Sequence, residues 1–227
     1  SYGHIGGSGS AEQSTTTEGT TKAIYKQFYN FTEPTAANLR DGAQFSIAST
    51  DTPDAYFIVA ERLQMKDRLN PGTWTITLSG SSTAGVATSL SLTDDSKTVD
   101  AITPGSPFGD VYSIVSGSAG TKVGSTTYGK FYPDAGLFVL SANQVSSSLP
   151  GSGSTAAYQM AGGAVNQFNG LAPDLRVTDA ADNAWKIARA MELGSVTMRS
   201  EEKQYIYDYF CRAKVSEFNL SQNITFW

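Results

Sequence analysis

The chain has one cysteine and one histidine in 227 residues, few charges and no long apolar run. Each scarcity excludes something. A single Cys211 allows no internal disulfide and no cysteine-cluster metal site. His4 stands in a Gly-rich N-terminal stretch, where a histidine is ordinarily just solvated, and it does not suit a Ser-His-Asp system. There is no Gly-x-Ser-x-Gly elbow, no His-Glu-x-x-His and no Walker loop. Charged residues make up 16% of the chain and the net charge is -5, with no basic patch, so nucleic-acid binding is not expected. The longest apolar runs, such as Tyr56–Ala60 and Gly136–Leu140, are too short to span a bilayer, so no membrane insertion is expected. Nothing near residue 1 resembles the apolar region of a signal peptide, and none is expected.

What is abundant is Ser, Thr, Gly and aromatic side chains, the composition of strands and turns. The predicted fold class is mainly β: antiparallel, sandwich-like or partly open sheets, with one or two short helices packed on them and an extended N-terminal arm. Thr73–Leu78 alternates, with Trp74, Ile76 and Leu78 inward. Thr88–Thr93 alternates likewise, and Phe45–Ile47 and Val111–Val115 are short strands. Tyr56–Ala60 is apolar on both faces, hence central. Glu61–Leu69 reads either as a helical turn or as strand continuing outward. Asn70-Pro71-Gly72 is a turn in which Pro sets φ and Gly supplies a positive one. Pro133-Asp134-Ala135-Gly136 joins Tyr128–Tyr132 to Leu137–Leu140 as a hairpin. Lys22–Phe31 reads as a strand or an edge segment.

The spacing divides the chain into a flexible arm (1–21), a β domain (22–148), a Gly/Ser linker (149–155) and a C-terminal part (156–227) packed on the same domain. The arm's Gly cluster lacks the Lys-Ser/Thr of a phosphate loop, and partners are what would order the arm. One helix is predicted, roughly 179–192, with Ala180, Ala184, Ile187, Ala188 and Met191 on one face and Gly194 at its end. From Arg199 the chain reads as one long strand. Tyr205, Tyr207, Tyr209, Cys211, Ala213 and Val215 share the face expected to seal a core, with Cys211 buried there. Ile206, Asp208, Phe210, Arg212 and Lys214 take the other face.

No pair of acids stands out as catalytic. Asp94-Asp95-Ser96 is read as a polar turn rather than a metal site, and Glu201-Glu202 as solvated charge. Tyr205, Tyr207 and Tyr209 could stack on sugars, but a sheet face against a core or a neighbour is the plainer reading. No catalytic residue, cofactor or metal is expected. The residues expected to meet partners are Tyr2, Ile5, Ile24, Tyr25, Phe28, Tyr205, Tyr207, Tyr209, Phe218, Phe226 and Trp227.

Several segments then resemble one family. They are Arg199-Ser200-Glu201-Glu202, Tyr209–Lys214 and the Glu217–Phe226 ending. Upstream come Thr21–Lys26, Leu69–Trp74, Ser91–Ser96, Val111–Gly117 and Tyr128–Asp134. Together they are similar to virion structural proteins of large contractile-tailed phages, including those infecting cyanobacteria. In that family the Asn-x-Ser-x-Asn-x-Thr-Phe-like segment is followed by more chain, whereas here Trp227 is last. The resemblance implies a structural subunit of the tail, at the baseplate, forming homo- or hetero-oligomers with other tail and baseplate proteins and carrying no catalytic residues. The alternatives are a tail-fibre-like receptor- or glycan-binding module, and a virion-associated glycan hydrolase with two carboxylates in a groove.

Overall fold

The computed structural model describes residues 1–5, 18–33, 44–81, 87–99, 109–142, 144–145, 187–188, 190–202 and 204–212. The fold is mainly β. Eight antiparallel strands form one sheet in the order β1 (Tyr2–His4), β4 (Asp54–Val59), β10 (Leu137–Ser141), β9 (Thr121–Tyr132), β8 (Tyr112–Ser118), β7 (Ala87–Asp94), β6 (Thr75–Ser81) and β11 (Ser195–Thr197). Two small pairs flank it: β2 (Phe45–Ile47) with β3 (Thr50–Thr52), and β5 (Arg68–Leu69) with β12 (Ser200–Glu201).

Alternation places the core as expected. Trp74, Ile76, Leu78, Leu90 and Leu92 are buried in a cluster with Ile114, Phe131 and Phe138. The neighbouring positions Val111, Tyr132, Leu137 and Val139 point to the other face, into a second cluster under the helix α1 (Glu18–Thr32). β4 divides its side chains between the two, Tyr56 to the first and Phe57 to the second, as a strand apolar on both faces should. Both turn expectations hold. Gly72 has φ 73° and Gly136 has φ 61°, and the β9–β10 register runs through Leu137↔Tyr132. Glu61–Leu69 contains both of its readings: α2 (Arg62–Met65) is a single helical turn and β5 follows it.

The segment 22–31 is helix, not strand. Its β-favouring Tyr, Phe and Ile residues mask a helical period: Tyr25, Tyr29 and Thr32 are buried, with Phe28 partly so, at the i, i+3, i+4, i+7 spacing. Ala23, Gln27, Asn30 and Phe31 lie on the exposed side. Aromatic contacts then fix the helix. Phe28 stacks on Phe57 with ring centroids 4.3 Å apart, and Tyr25 meets Phe45 edge-on at 5.4 Å. The Tyr25 hydroxyl donates to the Thr52 carbonyl at 2.5 Å and accepts the Phe45 amide at 2.9 Å, tying α1 to β2 and β3. Burial pushes its pKa well up, so it stays a donor. Tyr25→Phe leaves that amide and that carbonyl without the hydroxyl. The expected cost is roughly 1–3 kcal/mol, read from the urea midpoint, and an unchanged midpoint would refute the tie.

The N-terminal stretch is likewise corrected in part. Tyr2–His4 is not a free arm but an edge strand on β4, with Gly3 opposite Ala55. A strand three residues long centred on a glycine carries no periodic signal, so only the pairing reveals it. Of the predicted helix, described residues within 187–193 are helical. Ile187 is buried as expected and Met191 packs against the core, but Ala190 is buried and Ala188 exposed. The inward face is thus displaced from the predicted one. Ala180, Ala184 and the expected linker at 149–155 lie outside the described residues.

Candidate interaction site at the C-terminal segment

The segment after β11 is held at its root. Ser200 and Glu201 pair with Leu69 and Arg68 in β12–β5, and Asn70 N donates to Arg199 O at 2.8 Å. Two ion pairs reinforce this clasp. Arg68 reaches Glu201 through Nε at 3.1 Å and through Nη2 at 3.3 Å, and Lys66 Nζ lies 3.0 Å from Glu202. Glu201 and Glu202 are therefore paired, not merely solvated. The forked Arg68–Glu201 pair is half-buried and directional, while Lys66–Glu202 is exposed and adds little.

Beyond the clasp the described residues do not continue as the expected long strand. Described residues 204–212 form no regular secondary structure and all are exposed. Tyr205, Ile206, Tyr207, Tyr209 and Phe210 are between 77% and 97% exposed, and Cys211 is exposed rather than buried. Period-2 alternation reports a segment fit for a pleated surface. It does not supply the neighbouring strand. Here the chain provides a clasp and then five large apolar side chains facing water.

The other expected contact residues scatter. Tyr25 is in the core, and Ile24, Phe28 and Ile5 pack against the same cluster, so they hold this domain together rather than face outward. Tyr2 lies in β1. Phe218, Phe226 and Trp227 lie outside the described residues.

Among the described residues no group of three His, Cys, Asp or Glu side chains could hold a metal. The Asp94-Asp95 pair is structural, as the turn reading expects. Both Asp94 oxygens accept the Gly72 amide, at 2.9 and 2.8 Å, and Oδ1 also accepts the Ser96 amide at 3.1 Å and its hydroxyl at 2.5 Å. Asp95 accepts the Ser113 amide at 3.0 Å. Burial raises the Asp95 pKa above the usual carboxylate value, with the backbone bond opposing. A raised folded-state pKa means stability that is fully present below the unfolded value and lost as pH rises through the folded one. Asp95→Asn removes that loss and keeps an acceptor for Ser113. The variant's gain in urea midpoint should be largest at neutral pH and fade near pH 4; a gain independent of pH would contradict this account.

A cleft of about 350 Å³ lies beneath the β2–β3 hairpin, lined by Ser46, Ser49, Ser113, Thr127 and Lys130. Lys130 is committed to Glu33 at 2.5 Å, so the cleft presents hydroxyls rather than free charge. Among the described residues no helix is long and apolar enough to cross a membrane. No family model matches the chain, and comparison with curated proteins and with solved structures found no match.

Proposed function

We propose that the chain is a structural subunit of a phage virion, at the baseplate of a contractile tail, and that it grips neighbouring subunits through its terminal segments. The observation that carries the assembly part is the clasped segment beyond Glu202, whose Tyr205, Ile206, Tyr207, Tyr209 and Phe210 all face solvent. Burying them on a neighbour would withdraw apolar surface at roughly 25 cal/mol per Å². An extended segment with alternating side chains also suits strand addition to a sheet edge. The virion and tail part rests on the family-like segments from Thr21 to Phe226. The role in this reading is mechanical rather than catalytic, with no cofactor.

Two measurements test it. Cross-linking mass spectrometry on intact virions should give links from Lys22, Lys26, Lys203 and Lys214 to tail or baseplate proteins. Absence of the chain from the particle would sink the virion reading. Replacing Tyr205, Tyr207, Tyr209 and Phe210 by serine should abolish incorporation yet leave the urea midpoint of the isolated chain within about 0.5 kcal/mol, because these side chains are exposed there. Normal incorporation of that variant would remove the segment from the interface.

A further inference from the structure

The N-terminal strand occupies a slot between two elements distant in sequence. On one side it pairs with the β4 edge: Phe57 N donates to Ser1 O at 2.8 Å and Ile5 N to Pro53 O at 2.9 Å. On the other side α1 lies across it. A Cβ added at Gly3 would sit 2.8 Å from the Tyr25 backbone nitrogen, 2.9 Å from the Tyr25 Cα and 3.0 Å from the Phe57 ring. Two of those three atoms are backbone and cannot swing aside. The slot therefore accepts an extended strand only if glycine stands at this register, and Ile5 completes the fit against the second apolar cluster. That is a recognition site, with ladder bonds for affinity and a steric gate for specificity.

Nothing in the slot requires the strand to come from the same chain. The twelve residues at 6–17 are nearly all Gly, Ser, Thr and other polar types. Fully extended at roughly 3.3–3.6 Å per residue, the tether from Ile5 to Glu18 reaches about 45 Å, comparable to the diameter of a globule of this length. Exchange with a second copy keeps every slot contact and alters only tether entropy, so close packing of copies favours it.

We infer that the β4–α1 slot takes the Tyr2-Gly3-His4 strand of a second copy of this chain, linking subunits by reciprocal exchange. The inference rests on the assembly reading above, and names the partner and the interface for it.

The register supplies the test. His4 and Asp54 face each other at a pair that does not exchange backbone hydrogen bonds, where Cα atoms approach to about 4.5 Å, a separation a disulfide spans. In full-length chains carrying Cys211→Ser, one population receives His4→Cys and another Asp54→Cys. They are mixed at high concentration, equilibrated and oxidised. Exchange predicts a covalent heterodimer as the major product, reduced at least tenfold when Gly3→Val is added to the His4→Cys chain. The His4→Cys/Asp54→Cys double variant is the geometric control and should close in dilute solution within one chain. A double variant that closes while the mixed single variants give no heterodimer overturns exchange, as does failure of either pair to close, which removes the β1–β4 pairing itself. Light scattering on the same samples separates the two ideas. Oligomers without heterodimer leave the assembly reading standing and sink exchange alone, whereas monomers throughout sink both.

Discussion

Trp74→Ala should be the most damaging single substitution of a core side chain, lowering stability by about 3–5 kcal/mol. Trp74 is completely buried immediately before β6. Its ring meets Phe138 edge-on at 4.8 Å and Phe131 at 5.2 Å, and those two stack on each other at 4.7 Å. Truncation removes the largest fully buried side chain among the described residues and strips both phenylalanines of a partner, in a sheet whose strands on either side are fixed by pairing and cannot collapse inward. A chain of this size should then melt roughly 10 °C lower. Trp74→Phe isolates the cause. Trp74 Nε1 has no hydrogen-bond partner among the described residues, so phenylalanine costs volume but no bond. It should recover most of the loss. Equal damage from Phe and Ala would mean that the indole nitrogen is bonded after all.

Asp94→Ala should cost about 3 kcal/mol or more by a different route. The carboxylate is fully buried and organises two turns at once. It accepts the amide of Gly72 in the Asn70–Thr73 turn and the amide and hydroxyl of Ser96 after β7. Alanine leaves two backbone donors without an acceptor in a place water reaches poorly. Gly72 takes a φ of 73° that Cβ-bearing residues adopt reluctantly, so the turn needs glycine there as well as the carboxylate. Next to it, Thr93 donates to the Trp74 carbonyl at 2.9 Å and accepts the Gly120 amide at 2.7 Å, so slackening at Asp94 spreads to the β8–β9 turn. Asp94→Asn retains one acceptor oxygen and should fall between alanine and the wild type. Urea midpoints of the three proteins decide it; an alanine variant as stable as the wild type would show that the turns close without the carboxylate.

Both effects trace to features visible in the sequence. Trp74, Ile76 and Leu78 alternate with threonines, and a period of two has one structural meaning when it is bounded by turn residues. Pro71-Gly72 and Pro133–Gly136 carry turn chemistry that holds whatever the rest of the fold does. Asp94-Asp95 was legible as a turn because no ligand partners stand near it. Less legible were elements whose type is set by long-range partners. In α1, Tyr25, Phe28 and Tyr29 have strand propensity but helical spacing, and the spacing wins because an aromatic stripe can pack across β4. At the C-terminal segment the alternation of Tyr205, Tyr207 and Tyr209 was real, yet among the described residues no strand pairs with it, and Cys211 is exposed rather than in a core. Gly3 offered no local signal: its requirement appears only once Tyr25 lies above it. For the candidate site, the sequence reading named Tyr205, Tyr207 and Tyr209 among the five exposed side chains but put Ile206 and Phe210 on another face, and the geometry was not readable. The Tyr205–Phe210 run announced an apolar segment, but the Arg68–Glu201 clasp joins positions 133 residues apart that no motif connects.

The β6–β11 pairing has a consequence for synthesis. β6 receives its outer neighbour from residues as much as 122 positions later in the chain. At ribosomal rates of about 5–20 residues per second, β6 waits roughly 6–24 s before its partner has been made. During that interval β7 and β8 can pair, but one margin of the growing sheet stays bare. Nascent chains on neighbouring ribosomes of the same message would meet at that margin. Yield in cells should therefore respond to translation speed across 82–195 more than to the stability of the finished fold.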